Sequence, residues 1–173
     1  MHKTIDYAII QEPLAKILIA ANDKGVVLVE FLAGETTDIV QYLQNNFHQS
    51  LIRKEGPYVE EGKKQLEEYF QGLRKEFTCA INPQGTEFQK KVWDQLQQIP
   101  FGQTKSYGEI SSKVLGNNKG ARAVGQANGK NPIAIIIPCH RVINQEGSLG
   151  GFSGGLHIKK WLLEWEKKIL YSY

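Results

Sequence analysis

The stretch SYGEISSKVLGNNKGARAVGQANG, Ser106–Gly129, decides how the second half of this chain folds. Ser106-x-x-Glu109 is a capping box: the serine hydroxyl takes an orphan amide of the first helical turn and the glutamate reaches back to the serine amide. Gly116 stops that helix, because glycine takes the left-handed C-terminal position at no steric cost. Asn117 or Asn118 then caps a further helix, which runs to about Asn128 and ends at Gly129. Two short helices joined by a tight turn with glycine make a helix-turn-helix pattern. The second helix is mostly Gly and Ala, which fill a core poorly but let a backbone approach another surface closely. Arg122 projects from it. A tightly packed neighbouring helix would accept the same composition.

Charge favours a polyanion for that approach. Residues 84–173 carry 12 Lys+Arg against 6 Asp+Glu, whereas residues 1–83 carry 9 against 12. Within 103–141, Lys105, Lys113, Lys119, Arg122, Lys130 and Arg141 face Glu109 alone. Such asymmetry points to an anionic partner for the second half, nucleic acid first.

Upstream, Thr86-x-x-Gln89 is another capping box, opening a helix whose apolar stripe is Phe88, Val92, Trp93, Leu96 and Ile99. Asn82-Pro83-Gln84-Gly85 is a breaker cluster and sets the domain boundary. The chain is thus read as α+β, with an N-terminal α/β domain over 1–83 and a mostly helical C-terminal domain over 84–173. In the first domain, Ile5–Ile10, Leu14–Ala21 and Val26–Leu32 are β-rich runs, the last two joined by the turn Asn22-Asp23-Lys24-Gly25. Asp38 caps a helix that turns Ile39, Tyr42, Leu43 and Phe47 inward. A second helix runs from about Val59 to Phe70, with Gly72 ending it. Phe77, Cys79 and Ile81 alternate as a half-buried strand, which makes Cys79 core filler.

Downstream, Ile133–Ile137 reads as a buried strand. Pro138 ends it and leaves Cys139 on a turn. Gly147–Gly155, with five glycines, is a close-approach loop. Ser153 is expected to cap a last helix whose stripe is Ile158, Trp161, Leu162, Trp165 and Ile169, with Glu166 beside it.

Composition narrows the class. Hydrophobic residues make up 41% and charged residues 23%, as in globular proteins. No apolar run approaches the ~20 residues that span a bilayer, and no signal-peptide core follows Met1. The expectation is a cytoplasmic protein without a membrane partner. Cys79 and Cys139 form neither a CxxC nor a Cys/His cluster, so no metal and no other cofactor is expected.

In Pro138-Cys139-His140-Arg141 a thiol lies beside an imidazole and a cation, the neighbours that favour a thiolate. Glu166, on the last helix, is placed to orient the imidazole, giving a Cys/His/Glu arrangement. On these residues alone a cysteine hydrolase is allowed, and so is a structural thiol.

Pro138-Cys139-His140-Arg141-Val142-Ile143 resembles the active-site signature of the O6-alkylguanine-DNA alkyltransferases, the methylated-DNA–protein-cysteine methyltransferases. Further matches follow in order: Phe88-Gln89-Lys90-Lys91-Val92-Trp93, Ser106-Tyr107, Ala121-Arg122-Ala123-Val124-Gly125, Asn131-Pro132, and Gly151-Phe152-Ser153-Gly154-Gly155-Leu156, continuing through Lys159, Trp161-Leu162-Leu163 and Glu166. The resemblance is dense over about 77–168 and only broad before it. It implies a ribonuclease H-like N-terminal domain and a winged-helix-like C-terminal one. It also implies single-turnover repair of O6-alkylguanine, and of O4-alkylthymine, in duplex DNA by a monomer that flips the nucleotide from the minor groove.

By matching position, the resemblance makes Cys139 the alkyl acceptor. His140 takes its proton through a water, and Glu166 holds His140. Asn131 supports the turn, and Tyr107 donates to the guanine ring. Arg122 fills the gap left in the duplex, with Ala121, Ala123, Gly125 and Ser106 at the DNA. Val142, Phe152, Ser153 and Lys159 contact the base. Phe152 departs from the tyrosine of many relatives. The N-terminal cysteine through which some relatives bind zinc is missing from this chain. A non-catalytic lesion-binding relative is the rival reading, and Cys139 argues against it.

Overall fold

The run Lys16–Asn22 shows at once how the first sheet is used: Ile17, Leu18, Ile19, Ala20 and Ala21 are all fully buried. Neighbouring residues of a strand face opposite sides, so this strand is covered on both. The computed structural model describes residues 3–32, 38–48 and 50–172, which divide into two units, Met1–Gln84 and Gly85–Tyr173.

In the first unit, β1 (Lys3–Gln11), β2 (Lys16–Asn22) and β3 (Gly25–Leu32) form an antiparallel meander. α1 (Ile39–Asn46) follows, and β4 (Ser50–Lys54) returns parallel to β1. The spatial order is β3-β2-β1-β4. Leu18, Ala20, Ile5, Tyr7 and Val27 pack with Leu43 of α1 on one face. Ile19, of opposite parity, meets α2 (Pro57–Phe70) on the other. A Cβ at Gly62 would lie 2.6 Å from its Cδ1, so glycine sets that close approach. Asp38 caps α1 by accepting the Gln41 amide at 2.8 Å.

β4 escaped the sequence reading. Only Leu51 and Ile52 are apolar in it, and Leu51 is 59% exposed. Its place is fixed by register: Arg53 pairs with Asp6 across the β1–β4 ladder and donates to its carboxylate at 2.7 Å.

The expected strand at Phe77–Ile81 is corrected. The segment makes a single bridge, Val26 with Ile81, and Cys79 is half-buried. Its backbone is held instead by Gln65, whose Oε1 accepts the amides of Thr78 at 2.8 Å and Cys79 at 3.2 Å. A side-chain amide here does the work of a neighbouring strand. Burial, the larger cause, and Glu61 push the Cys79 thiol up to about 11.

In the second unit, α3 (Glu87–Leu96) opens on the predicted Thr86–Gln89 capping box and buries Val92, Trp93 and Leu96. Trp93 donates to the Ala127 carbonyl at 2.9 Å. After β5 (Lys105–Ser106), α4 (Tyr107–Leu115) opens on the Ser106–Glu109 box and ends on Gly116 at φ 74°. Asn117 caps a 3-10 turn, Asn118–Gly120, that leads into α5 (Ala121–Gly129). The two helices and the glycine turn of the expected motif thus form, but α5 starts from Gly120 without a side-chain cap, and Asn117 caps the intervening 3-10 turn rather than the helix.

Two expectations downstream are corrected. Ile133–Ile137 is not a strand but a pair of tight turns, with Ile135 at φ 70° and Ala134 bridging Ile137. A short run buried on every side carries no periodicity that separates strand from coil. A second 3-10 turn, Cys139–Arg141, precedes β6 (Val142–Ile143), which pairs in parallel with β5. Ser153 does not cap α6 (Leu156–Tyr171); the N-cap is Gly155, without a side-chain cap. In α6, Ile158, Leu162 and Leu163 are buried with Lys159 and Glu166. Trp161, Trp165 and Ile169 are only partly buried, the two indoles stacked at 5.6 Å.

Gln65 gives a test of the first unit. Gln65→Leu keeps the volume but removes the acceptor of two part-buried amides, at about 0.5–1.5 kcal/mol each. The expected outcome is a urea midpoint lowered with the slope unchanged.

Candidate active site

Asn131 ties the turns that carry Cys139. Its Nδ2 donates to the Ile137 carbonyl at 2.8 Å, and its Oδ1 accepts the Ile133 amide at 3.0 Å. The Cys139 amide donates to the Ile137 carbonyl at 2.7 Å. From α5, Asn128 Nδ2 reaches the Cys139 carbonyl at 3.4 Å. The backbone of Cys139 is thus held from two sides, and the residue is buried.

Burial pushes the Cys139 thiol above its ordinary range; the Asn131 amide and the Lys159 charge oppose this without reversing it. The sequence neighbours suggested the opposite direction. They do not deliver it because His140 and Arg141 are both engaged with Glu166. His140 Nε2 lies 2.7 Å from Glu166 Oε1. Arg141 Nη2 donates to Oε1 at 3.0 Å, and its Nε lies 3.2 and 3.1 Å from the two oxygens. The Gly102 amide completes the set, donating to Oε2 at 2.8 Å. All three charged or titratable side chains are buried.

These contacts fix the protonation states. Burial opposes charge on Glu166, yet hydrogen bonds from His140 and Arg141 and the Arg141 charge hold its carboxyl down to about 2. Burial also lowers the His140 imidazole, further helped by the Arg141 and Lys159 charges, and Glu166 only partly offsets this. A neutral imidazole on a carboxylate carries its proton on the bonded nitrogen, here Nε2. Nδ1 then keeps its lone pair, and among the described residues it has no hydrogen-bond partner.

Of the remaining expected residues, Tyr107, Ala121, Arg122, Gly125 and Phe152 line a cleft of about 740 Å³ between α4, α5 and the glycine loop, whereas Ser106, Ala123, Val142, Ser153 and Lys159 are not among its lining residues, nor are Cys139 and His140. Asn128 and Gly150 line it as well. Tyr107 is half-buried at the start of α4, and burial raises its phenol, with Cys139 adding to the effect. On α5, Val124, Ala127 and Asn128 face the core, Ala121 and Gly125 are half-buried, and Arg122 and Ala123 are exposed. Ser106 is buried, its hydroxyl taken by the Glu109 amide as the cap of α4. Ser153 is exposed and Phe152 half-buried.

Lys159 is buried, and burial brings its ammonium down to about 8. Its Nζ donates to the carbonyls of Val142 at 2.6 Å, of Leu149, and of Gly151 at 3.2 Å. It therefore bolts the glycine loop to β6. Gly150, at φ 67°, lets that loop lap Tyr107: a Cβ there would fall 2.8 Å from the phenol oxygen.

Arg141, Gly102 and Gly150 were not singled out as site residues in the sequence. A signal existed for Arg141: it is part of the quoted motif, and a buried arginine needs a carboxylate. Gly150 lay in the glycine-rich loop read as a close-approach loop, whereas Gly102 gave no such signal, since its positive φ shows only in the fold. Among the described residues no cluster of His, Cys, Asp and Glu is placed to hold a metal, and no helix is long and apolar enough to cross a membrane.

Comparison with known proteins agrees with this geometry. Residues 5–83 match the ribonuclease-like domain of 6-O-methylguanine DNA methyltransferase, and residues 87–168 match its DNA binding domain. A methylated-DNA–protein-cysteine methyltransferase of Methanosarcina acetivorans is 46% identical over 160 residues, 92% of this chain and 97% of that protein. The constitutive enzyme of Bacillus subtilis is 39% identical over 162 residues, 93% of this chain and 94% of its own. The crystal structure of the Mycobacterium tuberculosis O6-methylguanine methyltransferase superposes with a TM-score of 0.80 at 38% identity, covering 95% of this chain and 94% of that one. The same protein has been solved in complex with DNA, again at 0.80. With both domains matched and relatives this similar over nearly their whole length, the chain belongs to the methylated-DNA–protein-cysteine methyltransferase family.

Proposed function

We propose that this protein, as a methylated-DNA–protein-cysteine methyltransferase, repairs duplex DNA by moving the alkyl group of O6-alkylguanine onto Cys139 and keeping it. One observation carries the reading. A single 3-10 turn carries a buried thiol and, next in sequence, an imidazole that has one nitrogen on a carboxylate and the other without a hydrogen-bond partner among the described residues. The thiol is protonated at rest, so a base must take its proton before it attacks. Neutral His140 is that base, acting through a water at Nδ1, with Glu166 orienting it.

The thiolate then forms an S–C bond to the alkyl carbon as the C–O6 bond breaks, and the electron pair passes to the guanine. Tyr107, at the cleft wall, passes a proton to the ring and is reprotonated by the proton that His140 took from Cys139, so guanine leaves neutral and both His140 and Tyr107 return to their resting states. The thioether left on Cys139 has no group near it that cleaves it, so each molecule acts once.

The target atom is stacked inside a duplex, and flipping it out costs a few kcal/mol. Arg122, exposed at the cleft on the smooth face of α5, offsets part of this by entering the vacancy from the minor groove. Val142, Phe152, Ser153 and Lys159 shape the base pocket, Lys159 through its hold on the loop. One chain carries the whole residue set, which suits a monomer, and a free nucleophilic thiol suits the reducing cytoplasm. O4-alkylthymine, whose alkyl carbon is similarly electrophilic, is a second substrate.

Peptide mass spectrometry after incubation with a duplex holding one O6-methylguanine should find one methyl, stoichiometric, on the Cys139 peptide and none in Cys139→Ala. Tight lesion binding with no mass gain would instead mean a lesion-binding protein. Arg122→Ala should slow transfer from duplex about tenfold, if it removes about 1.4 kcal/mol of flipping assistance. Transfer from the same lesion in a single strand should barely change. The Glu166 carboxyl sits below its ordinary range near 4.5, so its stabilisation is complete above that pH and lost as pH falls toward 2. Acid unfolding of Glu166→Gln should therefore show a shallower pH dependence over that window than the parent.

A further inference from the structure

A buried carboxylate must be matched by positive charge close to it. In this site two groups compete for that task. His140 offers one ring nitrogen to Glu166, and Arg141 offers a fork of donors to the same two oxygens. If the imidazole alone faced Glu166, the stable buried pair would be imidazolium and carboxylate, and His140 would hold a proton before any thiol gave it one. We propose that Arg141 is a positioning residue that keeps His140 neutral: by neutralising Glu166 itself, it leaves the imidazole free to accept the proton of Cys139. This rests on the reading of His140 as the base in the preceding section, and it adds a member to the Cys139–His140–Glu166 set.

The geometry around Arg141 supports a fixed charge. Its third nitrogen, Nη1, donates to the Ile99 carbonyl at 2.7 Å. Its guanidinium carbon lies 5.7 Å from the Phe101 ring centroid. Residue 102 of the same loop supplies the backbone amide that closes on Glu166 Oε2. Segment 99–102 therefore grips both members of the ion pair, and Gly102 is required there. It sits at φ 75°, and a Cβ would fall 2.1 Å from Leu170 Cδ1. An arginine tied at all three nitrogens cannot swing away to let His140 become the counter-charge.

The charged and titratable groups around His140 are Glu166 and Lys159 on α6, and Cys139 and Arg141 in its own turn. Lys159 adds positive charge but is committed to loop carbonyls. Arg141 is the cation that touches the carboxylate. Once His140 takes the thiol proton, Glu166 faces two cations, His140 and Arg141. The imidazolium is then a strong acid, and it gives the proton up when the guanine leaves.

The test reads His140 directly. Nitrogen NMR of its ring in the DNA-free protein should show a neutral imidazole, protonated at Nε2, across the near-neutral range. Arg141→Gln keeps one amide donor but removes the charge. In it His140 should become imidazolium, and the acid limb of single-turnover transfer should move to higher pH, with the rate falling about tenfold per pH unit below the limb. Arg141→Lys, which keeps the charge, should restore the neutral ring and the parent profile. Arg141→Gln combined with Glu166→Gln removes both charges and should restore the neutral ring as well. A neutral His140 in Arg141→Gln, with a uniform rate loss and an unmoved limb, would make Arg141 merely structural and overturn the proposal. So would a charged His140 in the double variant. The ring titration needs no lesion, so failure of the parent protein to take a methyl group would count against the proposed function and not against this assignment.

Discussion

The carboxylate of Glu166 is the point on which the second unit turns. It is fully buried on α6, and donors reach it from the Cys139–Arg141 turn and from the loop after α3. Three segments distant in sequence are thereby fixed to one another by charge-assisted hydrogen bonds, which are short and directional where apolar packing is neither. The nucleophile's turn inherits its place from this anion. Replacing the cluster by apolar side chains of equal volume would not weaken such a core in general, so stability alone does not account for its presence. The chemistry does.

A second restraint works on the backbone of the same turn. Asn131 spans the paired turns at 133–137 and Asn128 reaches the Cys139 carbonyl from α5. These amides join the helix that presents Arg122 to the turn that presents the thiol. Lys159 ties the opposite wall, so the cleft has a helix on one side and a bolted loop on the other. The α5 face and the Cys139 turn thus share one set of supports, Asn131 among them.

Much of this was legible in the chain. The two capping boxes, Gly116 and the asymmetry of charge give the helix-turn-helix, because each is a local rule with a local partner. The Cys139–His140–Glu166 set was also readable, since two members are adjacent and the third falls on a patterned helix. What was not legible depends on partners supplied by the fold. β4 has almost no apolar signal and is placed by pairing with β1. The segment around Cys79 looked like a strand because its apolar residues alternate, yet Gln65 takes the place of a neighbouring strand. Ile133–Ile137 looked like a strand because it is wholly apolar, and Asn131 makes it a turn. Ser153 looked like a cap, but the helix begins beyond it at Gly155. For β4 and the Cys79 segment a partner distant in sequence overrode a local preference, and for Ile133–Ile137 the nearby Asn131 did.

The buried, protonated state of Cys139 has a consequence for the protein while it waits. A molecule used once is lost to any electrophile that finds its sulfur first, whether peroxide, a disulfide or a free alkylating agent. Such reagents attack thiolate, and they attack in proportion to its exposure. Cys139 is 3% exposed and its burial favours the thiol, so the resting protein offers them little. Its sulfur ages slowly in the same chemical weather that damages the DNA.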